Sequence, residues 1–382
     1  MTNKKTTVMA VVAFVLLIFG ILMQTMSDKL EKIEEEPVID ETISLVAVGD
    51  NLLHTKVIQS GKQEDGTYEF SHIFENLQPQ IKKADLAAIN QETIFGGDDL
   101  GFSGYPLFNS PTGMGRTLVK EGFDIVLHAT NHTLDKGSKG VEHAIEFWKE
   151  FPKVSVIGIN ESQEAQDKVK IKKVKGAKIA LLNYTYDTNG IPMPSGKEYL
   201  VNLIDEEKIE KDSLYAEEKA DFTVCFMHWG EEYHLEASKE QTELAEKMCE
   251  WGVDLIIGTH PHVLQPVEWV MSENGNSALC YYSLGNFVSS QREAVNLLCG
   301  MADVKLHFDG EKVYISEHEL VPLITHYDRG LNNFTVYRLK DYNDELAAKH
   351  GVSAFDGKVS VKRWQDMLDK ILGTQDVTVA ES

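Results

Sequence analysis

The chain has 382 residues, and its 37 lysines and arginines against 60 aspartates and glutamates give a formal net charge of −23 at pH 7. This length allows one large domain or two ordinary ones, and 42% apolar residues are enough for a sizeable core. The negative charge excludes a broadly basic surface of the kind that docks on nucleic acid or anionic lipid. We therefore predict no nucleic-acid partner, whereas an acidic body can attract cations, metal ions included.

An apolar stretch follows Lys4 and Lys5 and runs over residues 8–23, with a weaker continuation to residue 26. As a helix it would span roughly 25–28 Å, which is enough to cross the hydrocarbon core of a membrane. A cleaved signal peptide is the competing interpretation. However, residues 24–27 (Gln-Thr-Met-Ser) offer no small-x-small cleavage site, and no cysteine follows to take a lipid. The sequence therefore favours an uncleaved transmembrane signal-anchor over residues 8–26.

The charges on either side of this stretch predict its orientation. Lysines precede it and an acidic segment over residues 31–41 follows it, and positive flanks stay on the cytoplasmic side. We predict a cytoplasmic tail at residues 1–7, an acidic linker at residues 27–42, and a main domain outside the cell membrane. The membrane is thus the first expected partner, crossed in a single pass.

Apolar runs of strand length recur after the linker, and several are followed by helical patterns. These runs are residues 43–48, 85–89, 123–127, 154–157, 178–182, 222–227, 253–257 and 279–282. Near-continuous apolar runs suit strands covered on both faces, as in an α/β sheet. Val141, Ala144 and Trp148 recur at helical spacing, as do Leu244 and Met248. The alternation predicts mainly βαβ units in one layered α/β domain.

We place this domain at residues 43–335 and a helical extension at residues 336–382. The extension has one apolar helix face, formed by Val361, Trp364, Met367 and Leu368.

Four cysteines, at positions 225, 249, 280 and 299, show no CxxC spacing. The absence of CxxC spacing argues against a zinc ribbon or a thioredoxin motif. Disulfides are compatible with an outward-facing domain, but four cysteines allow three pairings and the sequence does not choose among them. Cys225 and Cys280 lie inside apolar runs, which favours buried, unpaired residues.

Polar side chains with metal-ligating atoms follow five of the predicted strands. These residues are Asp50 with His54, Asn90 with Glu92, Asn131 with His132, His228, and His260 with His262. Ligands bind beyond the carboxyl ends of strands in open α/β sheets. Oxygen and imidazole donors without a thiolate favour a divalent ion such as Zn, Mn, Fe or Mg.

Each pair alone has a simpler explanation. Gly49-Asp50 suits a turn, His54 could lie on a helix surface, and Asn90 with Glu92 could be a helix cap and a surface carboxylate. Asp135 suits a cap of the following helix. Polar residues with metal-ligating atoms after five strands in succession nevertheless favour a metal site.

The motifs together resemble a known family. They are Gly49-Asp50, Asn90-x-Glu92, Asn131-His132, His228-Trp229-Gly230, His260-Pro261-His262, residues 183–190 and residues 282–287 (Tyr-Ser-Leu-Gly-Asn-Phe). This order is similar to that of the CapA/PgsA family of poly-γ-glutamate capsule proteins, over about residues 43–325. The domain of that family resembles the calcineurin-like metallophosphoesterases. The resemblance implies a four-layer α/β sandwich of mixed β-sheets flanked by helices, after an N-terminal membrane helix.

The resemblance also implies roles for single residues around two divalent ions. Asp50 and His262 match ligands of the first ion, and Glu92 stands where an aspartate usually bridges the two ions. His54 is a possible further ligand, although three residues separate it from Asp50 where the family motif has one. The second ion would take Asn131, His228 and His260.

His132 matches the general acid or electrostatic stabiliser beside these ligands. Candidate substrate-binding residues are Asn90, Arg116, Tyr184 and Asn286. The loop at residues 184–196 could close over the site as a lid, or be an ordinary surface loop.

The implied function is metal-dependent hydrolysis or transfer, at a phosphoester or a γ-glutamyl amide, in the synthesis, export or attachment of poly-γ-glutamate. The alternative is a non-catalytic accessory subunit of a membrane polymer synthase complex, with a structural or vestigial metal site. Either way, the synthase complex and its polymer are the expected partners. The charge of −23 disfavours direct binding of a polyanion unless a metal or a local basic patch intervenes.

Overall fold

The computed structural model describes residues 3–30 and 40–373, with side chains for residues 8–25 and 40–373. Most of the predicted acidic linker (residues 31–39), the first two residues of the predicted tail, and residues 374–382 lie outside the described residues. The chain divides into two units, residues 1–40 and residues 41–382.

The first unit contains helix α1 (Asn3–Leu30). Within the described residues, α1 is the one helix with a span, Val8–Thr25, that is long and apolar enough to cross a membrane. The mean hydropathy of this span is 2.5, and none of it is buried. A secretory signal sequence meets the same criteria, so the span is a candidate for an anchor.

The second unit is built on two β-sheets. The seven-stranded sheet has the spatial order β13 (Asn332–Arg338), β12 (Val313–Asp328), β11 (Leu298–Phe308), β1 (Glu41–Asp50), β2 (Leu86–Asn90), β3 (Ile125–Leu127), β4 (Ser155–Ile157). The six-stranded sheet has the order β5 (Lys170–Val174), β6 (Ala177–Thr185), β7 (Phe222–His228), β8 (Leu255–Thr259), β10 (Ser277–Tyr281), β9 (Val267–Met271).

Ten α-helices are described in this unit, together with short 3-10 turns. They are α2 (Thr55–Ser60), α3 (Ser71–Phe74), α4 (Gln78–Lys83), α5 (Thr112–Glu121), α6 (Gly137–Trp148), α7 (Gln163–Gln166), α8 (Glu206–Lys219), α9 (Lys239–Glu250), α10 (Asp344–Lys349) and α11 (Val361–Leu372). The predicted helical patterns correspond to α6 and α9. Helix α9 begins with a capping box, in which Ser238 and Gln241 each satisfy a backbone N–H group of the other.

Helices cover the outer face of each sheet. Ile209 of α8 and Leu244 of α9 pack on one face of β6, β7 and β8. The opposite faces of these strands join a larger core with the seven-stranded sheet, which also includes Met114 of α5 and Val141 of α6. The order of layers is helix, sheet, sheet, helix, so the predicted α/β sandwich of mixed sheets is confirmed.

Strand direction sets the position of the polar strand ends. Strands β1 to β4 are parallel, as are β6, β7 and β8, whereas β11 runs antiparallel to β1. Because parallel strands end at one edge of a sheet, the residues that follow them share that edge. The structure adds β5, β9, β11, β12 and β13 to the eight predicted strands. The second half of β11 alternates between buried and half-buried residues, so it lacks the continuous apolar run that identifies the eight predicted strands.

Helix α11 packs within the second unit. Trp364 of α11 is fully buried and lies against the ring of His350, with the ring centroids 5.8 Å apart. His350 is also fully buried, and its Nε2 is 3.2 Å from the carbonyl oxygen of Thr325 in β12. All four cysteines lie within the described residues, where they are buried and unpaired.

The burial of His350 predicts an acid-sensitive step in unfolding. Desolvation lowers the pKa of His350 to about 3, from an ordinary value of 6.5. Because the unfolded chain binds a proton that the folded chain rejects, stability is complete above pH 6.5 and falls as the pH drops towards 3. We expect about 2 kcal/mol to be lost between pH 6.5 and pH 5 through this group.

Urea unfolding at several pH values measures this loss. His350→Gln should reduce the dependence of the free energy of unfolding on pH, because other buried histidines such as His128 keep their share of it, whereas the exposed control His234→Gln should retain the full dependence. An equal slope in both variants would contradict the role given to His350.

Candidate metal centre

The carboxyl ends of four parallel strands bring their polar residues together at one edge of the second unit. Asp50 ends β1, Asn90 ends β2, His228 ends β7, and His260 directly follows β8. The first two strands belong to the seven-stranded sheet and the last two to the six-stranded sheet. The cluster is therefore assembled from both sheets, and all four side chains are buried.

Asp50 is held by three groups from different parts of the chain. Asn90 Nδ2 donates to its Oδ1 at 2.8 Å. The backbone N–H of His260 donates to its Oδ2 at 3.3 Å, and His262 Nδ1 lies 3.2 Å from the same oxygen. These contacts fix the carboxylate in one orientation.

The carboxylate of Glu92 is buried without a hydrogen bond from any described residue. Both of its carboxylate oxygens lack a partner, and its side chain is fully buried. Its Oε1 lies 3.7 Å from His262 Nε2 and 4.0 Å from His228 Nε2. Burial, together with the nearby charge of Asp50, raises the pKa of Glu92 well above 4.5, and His262 opposes this rise. An ionised carboxylate buried in this way is costly unless a cation neutralises it.

The two histidines around Pro261 have unusual backbone conformations. His260 has φ of 98° and His262 has φ of 60°, in the left-handed region that residues other than glycine rarely adopt. Such strain is often found where a site requires a particular side-chain direction. Desolvation and the neighbouring His262 lower the pKa of His260 well below its ordinary value, and its Nδ1 has no partner among the described residues.

His262 has a defined proton arrangement. Its Nδ1 faces two acceptors, Asp50 Oδ2 at 3.2 Å and Asn286 Oδ1 at 3.0 Å, so Nδ1 carries the hydrogen in this network. Burial opposes protonation, but the carboxylates of Glu92 and Asp50 raise the pKa of His262 to about 9.

His228 and Asn131 bring together two further side chains that could ligate a metal ion. His228 Nε2 lies 3.0 Å from Asn131 Oδ1, and its Nδ1 is 3.0 Å from Thr259 Oγ1. Desolvation, with smaller effects from His260 and His262, lowers the pKa of His228 well below its ordinary value. Neutral imidazole is the form that binds metal.

These donors fit a divalent cation. Two groups of side chains place their ligand atoms within 4.8 Å of one another, namely Asp50 with Glu92 and His262, and Glu232 with His260 and His262. The acceptors without a partner in the described part of the chain include both oxygens of Glu92, Asn90 Oδ1 and His260 Nδ1. A cation would satisfy acceptors that no donor reaches, because imidazole and carboxylate are ligands of Zn and of related divalent ions.

His132 stands beside this cluster with its own carboxylate. Asp135 Oδ2 is 2.7 Å from His132 Nδ1 and also accepts the backbone N–H of Phe108 at 2.7 Å. The Phe108 ring meets the imidazole edge-on, with the centroids 4.6 Å apart. The sequence pattern predicts a helix cap at Asp135, whereas in the structure this residue orients His132.

Arg116 and Tyr184 lie outside the cluster, and their predicted place at the site is corrected. The Arg116 guanidinium is about half exposed on α5, where it pairs with Glu150 at 2.8 Å. Tyr184 is buried on the helix-covered face of β6, where its hydroxyl donates to Asp212 at 2.7 Å. Successive residues of a strand face opposite ways, so Tyr184 points away from the edge that carries the cluster.

Tyr186 occupies the place predicted for Tyr184. Its ring centroid is 4.5 Å from that of His260, and burial raises its pKa to about 12. Asn189 also faces the site, because its Oδ1 accepts from Asn131 Nδ2 at 3.2 Å. Both residues belong to the loop at residues 184–196. The Asn189-Gly190 turn pair is the signal that could identify Asn189, and the end of β6 at Thr185 is what places Tyr186 in the loop.

His54 and Asn286 lie at the border of the cluster. His54 is half-buried before α2, its Nδ1 is 3.4 Å from the backbone N of Ser290, and burial lowers its pKa to about 4. It belongs to neither group of converging ligand atoms in the described residues. Asn286 is fully buried and holds the ring of His262, which is a supporting role rather than an exposed contact for substrate.

The position of Arg116 gives a direct prediction. Arg116→Ala should leave metal binding unchanged and should cost about 1–2 kcal/mol of stability, because its ion pair is exposed but its guanidinium also lies over the rings of Phe147 and Phe151. Metal titration and urea unfolding of this variant provide the measurement. A change in metal affinity would contradict the surface position of this side chain.

The fold and the site define a layered α/β protein with a candidate divalent-metal centre between its two sheets. The model of the family described as bacterial capsule synthesis protein PGA_cap matches residues 44–291. This match covers well over half of the chain, so the chain belongs to that family. The predicted resemblance to capsule proteins of the CapA type is confirmed.

Two curated relatives carry related descriptions. The PGA biosynthesis protein CapA of Bacillus subtilis (strain 168) is 27% identical over 376 residues, covering 93% of this chain and 92% of that protein. The capsule biosynthesis protein CapA of Bacillus anthracis is 28% identical over 265 residues, covering 66% of this chain and 61% of that protein.

Solved structures show more distant similarity. A 5'-nucleotidase precursor from Thermus thermophilus has 15% identity and a TM-score of 0.47, covering 87% of this chain and 58% of that chain. A calcineurin-like phosphoesterase from Bacillus subtilis has 14% identity and a TM-score of 0.40, covering 87% of this chain and 99% of that chain. Likeness at this level of identity concerns the fold alone.

Proposed function

We propose that this chain is a membrane-anchored, extracytoplasmic hydrolase or transferase that uses divalent metal in the synthesis, export or attachment of capsular poly-γ-glutamate. The observation that carries the proposal is the buried carboxylate of Glu92, which has no hydrogen bond from the described residues and lies between His228 and His262. The family assignment supports the part in capsule synthesis.

Two sets of residues would hold two ions. Asp50, Glu92 and His262 offer the first set, and Asn131, His228 and His260 offer the second. A bound pair of divalent ions supplies Lewis acidity and lowers the pKa of bound water. Zn, Mn, Fe and Mg all suit donors of this kind to different degrees.

His132 is the proposed proton donor. Its Nδ1 hydrogen bond to Asp135 leaves Nε2 as the atom that can pass a proton to a leaving oxygen or nitrogen. The Asp135 carboxylate stabilises the protonated imidazole and keeps the ring in place. The His132 side chain is 8% exposed, so it lies at the border between the buried ligands and the exterior.

Helix α1 is the proposed anchor. Its span Val8–Thr25 has the length and composition of a membrane-crossing helix, and Lys4 and Lys5 precede it. We place these lysines in the cytoplasm and residues 41–382 outside the membrane. There the chain would work beside a membrane polymer synthase complex, its proposed partner.

The test begins with the full-length chain in detergent. Elemental analysis counts bound metal, and a generic phosphodiester is assayed with and without added Mn or Zn. The proposal expects about two ions per chain and metal-stimulated turnover. His260→Ala should remove both while circular dichroism shows the fold retained.

Less than one ion per chain, together with no stimulated turnover, would overturn the enzyme proposal. That result would favour an accessory subunit of the synthase complex.

A further inference from the structure

A short basic segment stands out in this acidic chain. Between positions 168 and 178 there are six lysines and no aspartate or glutamate, whereas the chain as a whole carries a net charge of −23. The lysines are Lys168, Lys170, Lys172, Lys173, Lys175 and Lys178. Five of them are exposed and Lys172 is half-buried. We refer to this segment as the lysine strip.

The lysine strip is built on an edge strand. Strand β5 is the first strand of the six-stranded sheet and pairs with β6. A tight turn at Lys175 and Gly176, with φ of 47° and 94°, joins the two strands. The other edge of β5 has no strand beside it within the described part of the chain.

Two of the lysines hold the two sheets together. Lys172 Nζ lies 2.6 Å from Asp124 Oδ2, and Lys175 Nζ lies 2.9 Å from Asp85 Oδ2. Both aspartates stand just before strands of the seven-stranded sheet. These two lysines are therefore explained by the fold.

The other lysines have no such partner. Lys168, Lys170, Lys173 and Lys178 make no ion pair with any residue that the structure describes. Lysine on an edge strand can serve simply to discourage pairing with another chain. Here, however, four lysines without an ion pair among the described residues lie on one short segment.

A groove of about 690 Å³ adjoins the lysine strip, between α6, β4, β6 and α8. Lys168 and Lys170 line it, together with the aromatic side chains of Trp148 and Tyr215. The groove also contains two carboxylates, those of Glu161 and Asp212.

Both carboxylates of the groove already have cationic partners. Lys149 lies 3.0 Å from Glu161, and Lys208 lies 2.9 Å from Asp212. The charges that remain unpaired in the lining, among the described residues, are thus those of Lys168 and Lys170. The groove presents a positive surface on a protein whose overall charge repels polyanions.

We infer that the lysine strip and its groove form a docking surface for an extended polycarboxylate chain. Repeated carboxylates spaced along one polymer match lysines spaced along one short segment of chain, whereas a compact anion would engage few of them. The choice of poly-γ-glutamate as this polycarboxylate rests on the proposed function. The docking surface itself uses no residue of the metal centre.

Binding of poly-γ-glutamate of defined length to the full-length protein in detergent tests this inference. A chelator is present, so the metal centre makes no contribution and turnover is not involved. We expect the triple variant Lys168→Gln, Lys170→Gln, Lys173→Gln to bind about tenfold more weakly, and added salt to weaken wild-type binding. The matching Lys→Arg triple variant should retain the affinity.

The control carries Lys62→Gln, Lys340→Gln and Lys358→Gln, at exposed lysines that make no ion pair within the described residues. Equal affinity of the wild type and the Lys168/Lys170/Lys173 variant, or an equal loss in the control, would overturn the inference. So would polyphosphate or duplex DNA that binds as tightly as poly-γ-glutamate.

Edge protection is the alternative role for these lysines. Analytical ultracentrifugation of the triple glutamine variant distinguishes it from polymer docking. A variant that self-associates and still binds poly-γ-glutamate as tightly as the wild type would overturn the inference. A variant that stays in the same oligomeric state as the wild type and loses affinity for the polymer would support it.

Discussion

Glu92→Gln is expected to abolish the stabilisation that divalent metal gives this protein. The carboxylate of Glu92 is buried, has no hydrogen bond from the described residues, and faces both His228 and His262, so it is the group that most requires a cation. A ligand at a hundred times its dissociation constant stabilises the folded state by about 2.7 kcal/mol. Thermal unfolding of the wild type with and without Mn or Zn should show this increase, and the variant should not.

Without metal, the same substitution should preserve or increase the folding stability at high pH. Burial raises the pKa of Glu92 above its ordinary 4.5. In the metal-free wild type, the contribution of this group to folding stability is therefore fully present below pH 4.5 and is lost as the pH rises through the raised pKa. Glutamine does not titrate. The metal-free variant should therefore match or exceed the stability of the wild type at about pH 8, where the charge is most costly.

The control for both measurements is the exposed Glu231→Gln. It should keep the full metal response. A metal response that survives in Glu92→Gln would remove Glu92 from the ligand set, and a metal-free variant less stable than the wild type at every pH would contradict the desolvation argument.

His132→Ala should separate turnover from metal binding. General acid catalysis contributes typically about 10²–10⁴-fold to a rate, so turnover should fall by that factor if His132 passes the proton. Metal content should stay the same, because the side chain of His132 is held by Asp135 and Phe108 and is not one of the proposed ligands. Steady-state kinetics and elemental analysis of one preparation provide both values.

Asp135→Asn is the companion variant. It keeps the shape that accepts the Phe108 backbone N–H but removes the charge that stabilises a protonated imidazole, so turnover should fall in the same direction. His234→Ala, at an exposed histidine, should change neither quantity. Loss of metal in His132→Ala would make His132 a ligand, and unchanged turnover would require another proton donor.

Much of the fold could be predicted because the eight predicted strands are covered on both faces. Strand β2, for example, is buried along its whole length, and the four residues before Asn90 form an uninterrupted apolar run. Strands β11 and β12 contain half-buried or exposed stretches, and an apolar run interrupted in this way is a weaker signal than a continuous one. The polar residues at strand ends could be predicted because their position depends on strand direction.

The details of the site depend on contacts between distant parts of the chain. Tyr184 lies within β6 and faces the helices, whereas Tyr186 follows the last residue of β6 and lies beside His260, so the position of the strand end decides which tyrosine reaches the site. Arg116 is a rare arginine near a conspicuous motif, but helix packing brings it to Glu150. The lack of a donor for Glu92 among the described residues is a property of its folded surroundings and leaves no pattern in the sequence.

The placement of ligands on both sheets has a mechanical consequence. Asp50 and Glu92 come with the seven-stranded sheet, and His228 and His260 with the six-stranded sheet, so a bound cation would act as a cross-link between the layers. At the opposite ends of the strands, the pairs of Lys172 with Asp124 and Lys175 with Asp85 already join the sheets. Chelation would then remove one link between the layers at the metal end, where the contacts of His260 and His262 with Asp50 remain, and would leave the two ion pairs at the other end unchanged.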